Sequence, residues 1–144
     1  ERVTSILAGF TLFLGVIAAV SLLVGAVGIA NTMFTSVLER TKEIGIMKAL
    51  GAKNLDIMTI FLFNSGLVGL IGGVIGILFG VGIAIIIPKL GVSFVSGGTP
   101  LTTSIPLSLI IFTLIFSLVL GMISGVIPAY RASKLNPVDA LRSE

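Results

Sequence analysis

The chain contains no cysteine and no histidine. Disulfide bridges, Cys/His zinc sites and histidine proton relays are therefore excluded within it. Charge is scarce as well, at 10% of the 144 residues. Two stretches, Val3 to Leu38 and Ile57 to Pro88, contain no charged residue at all. What is present instead is apolar: 56% of residues, with a mean hydropathy of +1.22. A soluble domain of this length has too little interior to hide that much apolar surface, so the solvent is lipid. The net charge of +3 is spread over the ends and one loop. Nucleic-acid binding would need a clustered basic face, which the chain lacks.

Three uncharged runs are long enough to cross a bilayer, which takes about 20 apolar residues. The spans are expected within Leu7 to Leu38, Ile57 to Ile87 and Leu107 to Tyr130. The first run would make about 54 Å of helix at 1.5 Å per residue, well beyond a hydrocarbon core of about 30 Å. Its N-terminal end, with Arg2, Thr4 and Ser5, is expected to project past the membrane. The chain opens on Glu1 and its first apolar run has no basic leader, so it reads as a piece of a longer protein.

Lysine and arginine set the orientation. Arg40, Lys42, Lys48 and Lys53 lie between the first two spans, and Arg131, Lys134 and Arg142 follow the third. The segment between the second and third spans, residues 88–106, has Lys89 alone. The expectation is an all-α integral membrane protein with three transmembrane helices, N-terminus out and C-terminus in. The loop 39–56 and the tail 131–144 are then cytoplasmic, and the protein is a multi-pass component of the cell membrane.

Glycine is abundant, at 18 residues, and regularly spaced. Ser65, Gly69 and Gly73 stand four apart, as do Gly72, Gly76, Gly80 and Ala84 on the same span. Ser117, Gly121 and Gly125 repeat the spacing on the third span, and Ser21 and Gly25 on the first. Residues four apart share a helix face, so these form shallow ridges on which another helix can pack closely. The reading preferred is ordinary bundle packing; the glycines do not by themselves mark a pore.

No Asp, Glu, Lys or Arg lies within a span, whereas ion-coupled transporters and pumps place ionisable groups there. The more polar span residues are Ser and Thr with Asn31 and Asn64, for which a bond to a neighbouring helix is preferred over contact with a substrate. No HExxH, no intramembrane carboxylate pair and no glycine-rich loop ending in GK[ST] occurs. The chain is accordingly read as not an enzyme, with no cofactor and no metal of its own. Any energy for work across the membrane must come from another domain or subunit.

That turns attention to the charged island Glu39-Arg40-Thr41-Lys42-Glu43 and its continuation to Ala52. A short helix over residues 41–50 is expected, with Thr41 capping its start, Glu43 in the first turn and Gly51 at C′. Asn54 would cap the second span, with Asp56 in its first turn. Glu39, Glu43, Ile46 and Leu50 fall on nearly the same side. A merely solvated hairpin has no need of Ile44, Ile46, Met47 and Leu50. These rest on the bundle, on the lipid interface or on a partner.

The run from Glu39 to Ala52 closely resembles the ERTxEIGIxxAxGA segment of FtsX-like ABC transporter permeases. The tail from Pro128 to Arg142 is similar to that family's ending, and the MacB-like branch fits best. The resemblance covers essentially the whole chain, as the C-terminal module holding the last three of four membrane helices. It implies a permease that pairs with a second copy or paralogue and binds cytoplasmic ABC ATPases, which hold the ATP and Mg. It also implies that residues 39–52 form the coupling helix contacting the ATPase. Within that helix Glu39, Arg40, Lys42, Glu43 and Lys48 would give polar register, and Ile44, Ile46, Met47 and Leu50 would seat it. Gly45 would allow close approach and Gly51 would turn the chain into the next span. The function implied is coupling of ATP hydrolysis to export or extraction of a substrate at the outer side. Some relatives instead suggest a membrane scaffold that regulates an extracytoplasmic hydrolase.

Overall fold

Backbone amides and carbonyls have no water to bond within lipid, so uncharged runs of this length must close their own hydrogen bonds as helices. A computed structural model describes residues 2–89 and 105–136. They form four helices: α1 Arg2–Glu39, α2 Thr41–Ala49, α3 Asn54–Lys89 and α4 Leu107–Ser133. Among the described residues α1, α3 and α4 are long and apolar enough to cross a membrane. At 1.5 Å per residue, α1 is about 57 Å long and α4 about 40 Å. The segment from residue 90 to 104, expected to face outward, and the tail from Pro137 lie outside the described residues.

α1 gives way to α2 at a single residue. Arg40 (φ −99°, ψ 14°) leaves the helical region, yet its N–H still bonds Ser36 O at 3.1 Å and its carbonyl accepts Ile44 N–H at 3.0 Å. Thr41 does not cap α2 as expected. Its hydroxyl turns back to the carbonyls of Val37 (3.0 Å) and Leu38 (2.8 Å), meeting bonding needs at the end of α1. The residue preceding α2 is Arg40, which offers no side-chain cap bond.

α2 ends in a Schellman motif. Gly51 N–H bonds Lys48 O and Ala52 N–H bonds Met47 O, both at 3.0 Å, with Gly51 at φ +101°. That left-handed conformation is cheap only for glycine and turns the chain toward α3. Asn54, expected as the cap of α3, is instead its first residue. Asp56 makes the capping contact, its Oδ2 accepting Lys53 N–H at 2.9 Å.

α3 and α4 pack antiparallel along their small residues, in a register that pairs Ser65 with Gly125, Gly69 with Gly121, and Gly73 with Ser117. A Cβ built on Gly69 would stand 2.9 Å from the Cα of Gly121 and would clash with Ser117 O. Ser65 Oγ and Ser117 Oγ occupy the space where side chains on Gly125 and Gly73 would go. Pro128 is fully buried inside α4, where its missing N–H leaves the Ser124 carbonyl without the usual helical donor.

The apolar core of the chain sits at the α2 end. Val37 of α1, Ile44 of α2, Ile57 and Phe61 of α3, and Ala129 and Ala132 of α4 form one buried cluster. Away from it the helices open. Every residue of α1 from Arg2 to Gly25 is exposed. A cavity of about 630 Å³ separates α1 from the α3–α4 pair, lined in part by Ser21, Gly25, Gly69, Gly72, Gly73 and Gly76. A second, of about 330 Å³, includes Gly76 and Gly80. A Cβ on Gly25, Gly72, Gly76 or Gly80 would touch nothing. The regularly spaced glycines therefore divide into those closing the α3–α4 seam and those facing open space.

Candidate coupling surface

α2 is short, and the buried cluster fixes which way it faces. Thr41, Ile44, Gly45 and Lys48, spaced one and two turns apart, form its inner stripe. Ile44 is completely buried, Gly45 is buried, and Met47 packs against the same cluster. Lys42, Glu43, Ile46, Ala49 and Leu50 form the outer stripe, continued by Glu39 and Arg40 at the bend. Leu50 is 84% exposed and Ile46 46%.

The residues that the sequence groups together are thus parted between two faces. Glu39, Arg40, Lys42, Glu43, Ile46 and Leu50 lie outside, whereas Ile44, Gly45 and Met47 hold α2 to the bundle. Lys48 also turns inward. Its Nζ donates to the carbonyls of Ser133 and Leu135, the latter at 2.9 Å, where α4 ends. Gly51 carries the turn that follows. Among the described residues no ion pair ties down the exposed charges of Glu39, Arg40, Lys42 and Glu43. An outer partner therefore meets charges that need not first be separated from one another.

The α4 end supplies further fastening. The Arg131 guanidinium lies 5.1 Å from the Phe34 ring centroid, bridging α4 to α1, and Lys134 Nζ lies 4.9 Å from that of Tyr130. Both cations are exposed, where a cation–π contact is worth about 0.5–1 kcal/mol. In the sequence these cations serve only to set the orientation. Neither Asn31 nor Asn64 bonds a neighbouring helix through its side chain among the described residues, contrary to expectation. Asn64 instead lines a recess of about 610 Å³ between the α1–α2 bend and α3, together with Arg40, Asp56, Thr59, Phe61 and Phe63. No motif signals that recess, because it exists only once the α1–α2 bend brings Arg40 alongside α3.

Known proteins resemble this chain along most of its length. Residues 15–137 match the family described as FtsX-like permease C-terminal. The whole chain is 48% identical to an uncharacterized ABC transporter permease of Methanocaldococcus jannaschii, covering 36% of that protein. It is 43% identical over 135 residues to the macrolide export ATP-binding/permease protein MacB of Hyphomonas neptunium. That alignment takes in 94% of this chain and 20% of its relative. The uncharacterized ABC transporter permease YknZ of Bacillus subtilis is 43% identical over 143 residues, which is 99% of this chain and 33% of YknZ. The chain thus spans about a third or less of these relatives. With three helices able to cross a membrane and matches of this extent, the chain belongs to the FtsX-like permease family of ABC transporters, in its MacB-like branch, and is a multi-pass membrane protein.

Proposed function

We propose that this chain is the permease module through which a cytoplasmic ABC ATPase drives conformational change in a MacB-like transporter, with α2 as the coupling helix. The observation that carries the reading is the division of α2 into two faces. One face is built into the cluster where α1, α2, α3 and α4 meet, so a push on the helix cannot be absorbed by α2 moving alone. The other offers exposed charges, unpaired among the described residues, beside Ile46 and Leu50, the composition of a surface that docks a soluble partner.

The lysine and arginine bias supports placing α2 and the α4 end in the cytoplasm, where an ATPase is available. ATP and Mg then belong to that partner, and the relatives named as ATP-binding/permease proteins join both activities in one chain. The spans carry no ionisable group from which a proton or ion gradient could be tapped, which favours an external energy source. The seam-closing glycines of α3 and α4 leave α1 and the open faces of Gly72, Gly76 and Gly80 for a second permease copy or further helices. Work is then delivered at the outer side, as export or extraction of a substrate.

The test uses the intact transporter. Glu43→Lys combined with Leu50→Asp should leave the membrane protein folded but abolish co-purification of its ATPase and nucleotide-dependent change in the membrane part. Undiminished ATPase binding and response in that variant would reject α2 as the coupling helix.

A further inference from the structure

We infer that Lys48 is a positioning residue that fastens α2 to the C-terminus of α4, so that a stroke received by the coupling helix reaches α4 directly as well as α3 through the Gly51 turn. The inference rests on the reading of α2 as the coupling helix, and it assigns Lys48 to the inner linkage, away from the ATPase contact.

Bond accounting at the end of α4 carries it. A helix leaves its last four carbonyls without intrahelical donors, and they concentrate partial negative charge. Here the four are Tyr130, Arg131, Ala132 and Ser133. Ser133 Oγ donates to Tyr130 O at 2.8 Å, Lys134 N–H to Arg131 O at 3.1 Å, and Leu135 N–H to Ala132 O at 3.3 Å. These three donors come from the same strand of chain. The Ser133 carbonyl is served from another helix, by Lys48 Nζ, which also takes the carbonyl of Leu135 beyond the turn.

The partners are 85 and 87 residues apart in sequence, so the bonds hold distant segments together. Serine and threonine hydroxyls along the helices behave differently, returning to carbonyls three or four residues earlier in their own helix. The ammonium gives charge-assisted bonds in a half-buried place, where water competes less than at an open surface. α4 has no glycine at its end to close it by a left-handed turn; Lys134 sits at φ −99°, ψ 2°. The α4 terminus is therefore finished by α2. With the Schellman turn covalently joining α2 to α3, the coupling helix is held at two points, one on each member of the glycine seam.

The experiment is made on the full transporter with its ATPase in nanodiscs. Nitroxides are placed at Ala49→Cys on α2 and Lys134→Cys after α4, and their dipolar coupling is read without nucleotide and with ATP trapped by vanadate. The native Lys48 protein should keep one narrow distance in both states. Lys48→Met should broaden it, and should speed amide exchange across residues 131–136 about tenfold or more, as expected for loss of a charge-assisted bond. Lys48→Arg should restore both readings, and ATPase co-purification should be unchanged in either variant. A narrow distance and native exchange in Lys48→Met overturn the inference. So does a native-Lys48 distance that shifts with nucleotide, a measurement requiring no substitution at Lys48. Loss of ATPase binding in Lys48→Met with the distance intact also overturns it, by making Lys48 a docking contact. The nucleotide-free distance and exchange readings do not depend on the ATPase. Failure of the coupling reading itself would appear instead in the outer-face variants.

Discussion

Gly69 and Gly121 face each other across α3 and α4, so close that a methyl group on either would stand 2.9 Å from the other's Cα. The obstructing atoms include backbone, the carbonyl oxygens of Ser117 and Ser65, which cannot rotate aside. Gly69→Ala or Gly121→Ala must therefore push the helices apart. A cost of about 1–3 kcal/mol is expected, the usual penalty for forcing volume into a packed site. Gly72→Ala, whose Cβ meets nothing, is the control and should be close to neutral within this chain. Reversible unfolding in mixed micelles, comparing the three variants, checks the order.

Gly51 stands alone among the described residues in having a left-handed φ, +101°, and no atom crowds the place where its Cβ would be. Gly51→Ala thus isolates backbone strain from packing. It should destabilise by about 1 kcal/mol through the φ penalty and weaken the bonds to Lys48 O and Met47 O. Faster amide exchange at Gly51 and Ala52 relative to the middle of α3 would register the loss. A variant with native exchange and stability would show that the turn tolerates a side chain.

The helices themselves were legible because lipid leaves an uncharged run no other way to satisfy its backbone. The seam between Ser65, Gly69, Gly73 and Ser117, Gly121, Gly125 could be read as two faces by spacing of four. Their antiparallel pairing required the structure. The orientation of α2 was harder to read, because its inner stripe contains Lys48 and its outer one Ile46 and Leu50, so polarity does not separate inside from outside. Only the carbonyls of Ser133 and Leu135 at the α4 end make a buried-side lysine reasonable, and they lie 85 and 87 residues away. Thr41 and Asn54 misled for a related reason. Both are good capping residues, but the near-continuous α1–α2 path offers Thr41 carbonyls behind it. Asp56 reaches the free N–H at the start of α3.

Ile44 and Leu50 lie on opposite faces of α2, and the proposed coupling role gives the two faces different duties. Ile44 is fully buried among Val37, Ile57, Phe61, Ala129 and Ala132, so Ile44→Ala should cost about 2–5 kcal/mol in lost burial and cavity. Leu50 is 84% exposed, and Leu50→Ala should alter stability by no more than about 0.5 kcal/mol. The order reverses for ATPase association in the intact transporter, where Leu50→Ala should weaken binding while the folded fraction stays native. Paired thermal unfolding and pull-down measurements read both effects; equal losses of stability from the two variants would contradict the assignment of faces.

Glu39, Arg40, Lys42 and Glu43 are exposed and form no ion pair among the described residues, which bears on salt dependence. Charges held in internal pairs would have to be pulled apart before a partner could use them; these do not. Association of the ATPase through this surface should therefore weaken as ionic strength rises, since exposed charges are screened beyond about 10 Å at 0.1 M salt. Reversal at Glu43, which projects from the outer stripe, should lower affinity at low salt and lose most of its effect at high salt. Leu50→Ala should instead lower affinity by a similar factor at every salt concentration, because burial of an apolar side chain is not screened. Binding isotherms for the two variants across a salt series distinguish the contributions. Parallel salt curves for Glu43→Lys and the native protein would remove Glu43 from the contact and leave the apolar residues to carry it.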